Sequence, residues 1–165
     1  VKLMKPIASS GIPDSGNWIY EVKYDGFRCV LEWNTESIRL ISRNDVELSA
    51  NFPEIIEGCK AQQSRVKDYL PLKIDGELVV LNNSYQANFS LIQKRGRLKK
   101  SDGIREAVAA RPASFMAFDL LMCEGAPFAD QPYDQRKKKL LDIFGHEDKL
   151  GACLHYVGYT ENANA

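Results

Sequence analysis

The segment Trp18 to Leu31 limits what this chain can fold into more than any other. Read as a strand, Trp18–Tyr24 turns Trp18, Tyr20, Val22 and Tyr24 to one face and Ile19, Glu21 and Lys23 to the other. The aromatic face suits a core. The opposite face brings a lysine and a glutamate toward a shared space. Asp25-Gly26 is a turn signal, and a second strand runs from Phe27 to about Trp33. A hairpin whose charges face water is the plain alternative for this stretch.

The pattern continues as a meander. Asn34–Ser37 turns the chain and Ile38–Ser42 makes a third strand, so the fold class expected is α+β with an antiparallel sheet, not a doubly wound parallel one. Pro53 suits the first turn of a helix whose apolar face carries Ile55, Ile56 and Cys59. Pro71–Leu81 is a strong strand. Its alternation sets Lys73, Asp75 and Glu77 on one face and Leu72, Ile74, Leu78 and Val80 on the other. Acids on an apolar strand are costly unless partnered. They line a site for cations or hydroxyls, or a solvated edge.

Further on, Ala87–Lys94 predicts a short helix stopped at Gly96. Ser101 or Asp102 caps another that runs to Ala110. Ser114–Met122 is a strand with Phe115, Ala117 and Asp119 on one side and Met116, Phe118 and Leu120 on the other. Tyr133–Phe144 reads as an amphipathic helix, Leu140, Leu141 and Phe144 inward and Arg136, Lys137 and Lys138 largely outward. After Gly145 the pattern weakens, with one more strand at Leu154–Val157. Val1–Gly16 is an irregular lead-in broken by Pro6, Gly11, Pro13, Asp14 and Gly16.

Charge balance excludes a strongly basic or acidic domain: Lys+Arg and Asp+Glu number 22 each. Any nucleic-acid contact must come from local clusters. The densest is Lys94-Arg95-Gly96-Arg97-Leu98-Lys99-Lys100, either a solvated face or a phosphate contact. Cys29, Cys59, Cys123 and Cys153 have no metal or redox spacing and fit core thiols of a reducing compartment. His146 and His155 are isolated. No leader-like segment and no membrane-length apolar run occurs, so a cytoplasmic location is expected.

Lys23-Tyr24-Asp25-Gly26-Phe27-Arg28 resembles the nucleophile motif (motif I) of the covalent nucleotidyltransferases, the superfamily of DNA ligases, RNA ligases and mRNA-capping enzymes. Ser42-Arg43-Asn44 with Phe52-Pro53-Glu54 resembles the arginine motif that follows in ATP-dependent DNA ligases. Asp75-Gly76-Glu77 resembles motif III, and Phe118-Asp119-Leu120-Leu121 motif IIIa. With the Gln93-Lys94-Arg95 segment, the wording is most similar to bacterial end-joining ligases. The resemblance covers roughly Met4 to Phe144 and implies the antiparallel-sheet nucleotidyltransferase fold, incomplete at the C-terminus.

It also implies a chemistry. Lys23 would attack the α-phosphate of ATP, release pyrophosphate and carry AMP as a phosphoramidate. The AMP would then pass to the 5′-phosphate of nicked or broken double-stranded DNA. Desolvation and neighbouring cations favour a neutral amine. By the same resemblance Asp25 is the motif acid, orienting the lysine or metal-bound water, and Glu21 reads the adenine amino edge. Arg28 and Glu77 hold ribose hydroxyls, Glu77 also being a metal ligand for Mg²⁺ or Mn²⁺. Phe118 stacks on adenine, and Arg43 contacts the nucleotide and then the nick phosphate. Lys94, Arg95 and Arg97 are candidate phosphate contacts, and Met4–Ala8 lies across the sheet or the nucleotide pocket. The partners implied are Ku and a fused or associated repair polymerase, in a bacterial, nucleoid-associated setting.

The family's Glu-Gly-x-x-x-Lys motif IV, its motif V lysine and its OB-fold are not found. The chain is therefore expected to be the N-terminal part of an adenylation domain that adenylates itself poorly alone. An RNA ligase or capping-type transferase, and a non-catalytic nucleic-acid-binding module of the same fold, are the alternatives.

Overall fold

A computed structural model describes residues 3–13 and 16–162; of the lead-in, Val1, Lys2, the breaker Asp14 and Ser15 fall outside the described residues. Strand β1 is Tyr20–Glu21, β2 Phe27–Trp33 and β3 Ile38–Ser42. Helix α1 (Pro53–Val66) leads to β4 (Leu72–Val79), β5 (Leu81–Asn83) and β6 (Gln86–Ala87). Helices α2 (Phe89–Gly96) and α3 (Ser101–Ala110) precede β7 (Ser114–Cys123) and β8 (Ala126–Pro127). Helix α4 (Tyr133–Phe144) is followed by β9 (Lys149–Leu150), β10 (Leu154–Tyr156) and β11 (Tyr159–Thr160).

The main sheet runs β3-β2-β4-β7-β10-β9, with β8 on β7, while β1 pairs with β11 alone among the described residues. Its pairs are antiparallel except β10 beside β7. Along β2, Cys29, Leu31 and Trp33 alternate into the core, joined by Leu40, by Ile74 and Leu78 of β4, by Ile55 and Cys59 of α1, and by Leu140 and Phe144 of α4. The opposite face carries Arg28, Glu32, Lys73 and Glu77, half-buried. Lys73 Nζ sits 2.6 Å from Glu32 Oε1 across β4 and β2. Pro53 occupies the first turn of α1, as expected from its fixed φ and missing N–H.

Three expectations need correction. Trp18–Tyr24 is not a full strand with a core face: only Tyr20–Glu21 is β, and Trp18 and Val22 are 52% and 42% exposed. Because β1 pairs with β11 and not with β2, the lysine stretch is neither a hairpin arm nor part of the main sheet. Secondly, the strict alternation of β7 fails. Its pairing with β4 shifts register between Asp75 and Gly76, so Phe118 is an extra residue and Leu120, not Asp119, joins Phe115 and Ala117 in the core. Thirdly, Arg136 and Lys137 of α4 are 7% and 1% exposed instead of outward.

The helix caps differ in detail. Asn88 caps α2, its side chain accepting from Leu91 N–H at 3.1 Å. Neither Ser101 nor Asp102 caps α3; Asp102 pairs instead with Arg105.

Candidate nucleotide site

The cleft forms where β1 and its following loop lie over the polar face of the main sheet. Glu21, Lys23, Arg28, Arg43, Glu77 and Phe118 line one space of ≈ 550 Å³, together with Met4, Lys5, Pro6, Val22, Tyr24, Tyr133 and Val157. Side chains from seven separate stretches thus converge (4–6, 21–28, 43, 77, 118, 133 and 157), and the lead-in crosses the cleft through Met4–Pro6. Asp25 lies beside this lining, exposed.

The turn after Lys23 is fixed by close packing. Gly26 lies against β4 so tightly that a Cβ would sit 2.1 Å from the Leu78 carbonyl oxygen. Its N–H donates to Glu77 Oε1 at 3.1 Å. Only glycine allows that approach, so the Asp-Gly pair holds the lysine loop against β4. In Asp75-Gly76-Glu77 the glycine has the same role: a Cβ on Gly76 would come 2.4 Å from Phe115 Cζ.

Electrostatics at the cleft floor centre on buried carboxylates. Asp75 is fully buried. Arg28 donates to it twice, Nε to Oδ1 at 3.1 Å and Nη2 to Oδ2 at 2.7 Å. Burial still pushes the Asp75 carboxyl above its ordinary range, with Arg28 opposing. The fork aims Arg28 over the Phe118 ring, 5.4 Å from its centroid. Glu77 has no such ion pair: burial raises its pKa to about 7, against the Gly26 N–H and the charges of Arg28 and Lys23.

Glu21 is occupied from below. Tyr133 donates to its Oε2 at 2.9 Å. Lys137 Nζ stands 2.6 Å from its Oε1. Sequence reasoning missed both residues. The available signal was position: Tyr133, Lys137, Leu140 and Phe144 fall on one stripe of α4, so a lysine stands on its core side.

The basic run divides. Lys94 and Arg97 are exposed and stand outside the cleft, at the end of α2 that packs through Gly96 on Phe27. Arg95 instead points inward. It is 3% exposed and its Nη2 donates to both oxygens of Glu54 at 2.9 and 2.7 Å, while its Nε donates to Asn51 O at 2.9 Å. Burial of its partner Glu54 at the start of α1 draws it inward.

No group of three or more His, Cys, Asp or Glu side chains converges as a metal cage among the described residues. Glu21 and Glu77 are the carboxylates lining the cleft; Glu21 is paired with Lys137, and the charge of Asp25 acts on Glu77. That set fits an ion such as Mg²⁺, which keeps its waters and takes one or two carboxylates plus substrate phosphates.

Residues 5–162 match the family model described as ATP dependent DNA ligase domain. The chain is 45% identical over 140 residues to the bifunctional non-homologous end joining protein LigD of Bacillus subtilis, covering 85% of this chain and 23% of that protein. It is 31% identical over 125 residues to DNA ligase C of Mycobacterium tuberculosis, covering 74% and 32%. Among solved structures, the ligase domain of M. tuberculosis LigD superposes with TM-score 0.62 at 27% identity, over 86% of this chain and 40% of that one. A mycobacterial DNA ligase D complexed with ATP and MES superposes with TM-score 0.59 at 26% identity, over 84% and 39%. The chain spans less than a third of the length of the two sequence relatives.

Proposed function

Because this chain belongs to the ATP dependent DNA ligase domain family, we propose that it is the N-terminal part of a ligase adenylation module and carries the lysine that accepts AMP. The observation behind this reading is the convergence of Glu21, Lys23, Arg28, Arg43, Glu77 and Phe118 on one cleft. A ligase complexed with ATP is among the similar structures.

In this reading ATP enters with adenine against Phe118 and its ribose toward Arg28 and Glu77. Lys23 Nζ forms the N–P bond to the α-phosphate as the P–O bond to pyrophosphate breaks, and the amine loses a proton. Asp25 is the nearby acid that orients the amine. Arg43, exposed at the rim, contacts the nucleotide phosphates and then the 5′-phosphate of the DNA. A divalent ion bound by Glu77 and the phosphates would neutralise charge in the transfer. Lys94 and Arg97 contact the DNA backbone away from the cleft. Names of the relatives that mention non-homologous end joining support break repair as the setting; Ku, a repair polymerase and the bacterial nucleoid complete the proposal.

The test is intact mass after incubation with ATP and Mg²⁺, with peptide mapping and ATP calorimetry. A minor species heavier by one AMP, mapped to Lys23 and lost in Lys23→Ala, is expected. No ATP binding, or an adduct on another residue, would refute the reading.

A further inference from the structure

Helix α4 supplies more to the cleft than a wall. Lys137 is 1% exposed, a costly place for an ammonium. Burial lowers its pKa, and Glu21 opposes that shift. Besides meeting Glu21, it donates to the Val157 carbonyl at 2.6 Å and lies 4.3 Å from the Tyr156 ring centroid. Four residues earlier, Tyr133 donates to Glu21 Oε2, and its hydroxyl lies 3.4 Å from the Phe118 carbonyl oxygen. One helix therefore ties together β1, which leads into Lys23, β7, which carries Phe118, and the chain just after β10, where Val157 lines the cleft.

A methionine would fill the Lys137 position without the desolvation cost. The main sheet does not hold β1, which among the described residues pairs with β11 alone. The clamp on Glu21 ties β1 to helix α4 through side chains. A carboxylate oxygen accepts about two hydrogen bonds, so Glu21, with Oε1 ion-paired to Lys137 and Oε2 accepting from Tyr133, still has acceptor capacity and no donor to offer. An acceptor fixed beside a base platform favours a purine bearing an exocyclic amine over one bearing a carbonyl at the same edge.

We propose that Lys137 and Tyr133 are positioning residues of the nucleotide site, acting through Glu21. They set the height of the Lys23 loop over the cleft and the preference for adenine over guanine. This rests on the nucleotide-binding reading above.

Calorimetric affinities for ATP and GTP are measured on the chain and on Lys137→Met, Lys137→Arg, Tyr133→Phe and the double variant Glu21→Gln/Lys137→Met, each checked for a cooperative melt. Lys137→Met is expected to weaken ATP binding by roughly 10-fold or more and GTP binding far less, as expected for loss of the buried ion pair that fixes Glu21. Lys137→Arg restores part of the ATP/GTP ratio, and Tyr133→Phe lowers that ratio a few-fold. The double variant orphans no buried charge, so it keeps its melt and loses the ratio. Folded Lys137→Met or Tyr133→Phe with an unchanged ATP/GTP ratio overturns the positioning role while leaving the function reading intact. A wild-type chain that binds neither nucleotide overturns the function reading, and the positioning role with it.

Discussion

Replacing Arg95 by methionine separates a structural ion pair from a phosphate contact. Arg95 and Glu54 have side chains only 3% and 8% exposed. The guanidinium donates to both Glu54 oxygens and to Asn51 O, and lies 5.5 Å from the Phe52 ring centroid. Methionine keeps most of the volume but leaves Glu54 buried with one donor among the described residues, the Ala113 N–H at 2.9 Å. Breaking a buried pair from one side costs about 3–5 kcal/mol. At ~2–4 °C per kcal/mol for a chain of this size, the melting temperature falls by on the order of 6–20 °C. That loss is a large share of the ~5–15 kcal/mol of a typical domain. Urea denaturation of Arg95→Met beside Lys94→Met is the assay, and the exposed lysine change should stay within about 0.5 kcal/mol. Glu54→Leu/Arg95→Met should recover part of the loss, because no charge is stranded. An Arg95→Met cost below about 1 kcal/mol, with weaker low-salt DNA retention, would refute the argument and return Arg95 to the phosphate-binding surface.

Two further outcomes follow from the cleft. Glu77 binds its proton more tightly folded, near pH 7, than unfolded, near the ordinary 4.5. Its contribution is therefore fully present below the unfolded value and is lost as pH rises through about 7. Denaturation midpoints across that window should fall with pH in the wild type and flatten in Glu77→Gln; parallel slopes would sink the assignment. Gly26→Ala forces a methyl toward the Leu78 carbonyl. It should destabilise by ~1–3 kcal/mol and weaken ATP binding at least about 10-fold; an unchanged calorimetric affinity would show that the turn does not set the site.

Local rules made much of this fold legible. The 2.0 period of β2 and β4 and the proline at the start of α1 are written in consecutive residues. So was the candidate site, because lysine, arginine, acids and phenylalanine sit in short motifs that the sheet gathers. Long-range pairing was less legible. Glu54 meets Arg95 from 41 positions away, and Lys137 meets Glu21 from farther still. A charged residue is read as outward for its charge, even on a core stripe as at Lys137, although a counter-charge from another element draws it in. The exposure of Trp18 and Val22 has a similar origin: alternation implies a core face only where a sheet continues on both sides.

Strand β7 can be read like a text with two compensating frameshifts. Its first half presents odd-numbered residues to the core, Phe115 and Ala117; Leu120 breaks that parity, and Cys123 resumes it. The breaks coincide with the two register shifts against β4, which skip Phe118 and Leu121. Between them lies a short out-of-frame passage, in which the neighbours Phe118 and Asp119 both escape the main core. Phe118 packs with Met116, Val79 and Val157 beside the cleft, while Asp119 takes Arg136 Nε at 2.7 Å. Strict alternation would have spent one of those two positions on the core. The doubled shift lets one strand deliver a ring to the cleft and an anchor for α4 from adjacent codons, with the packing beyond them back in frame.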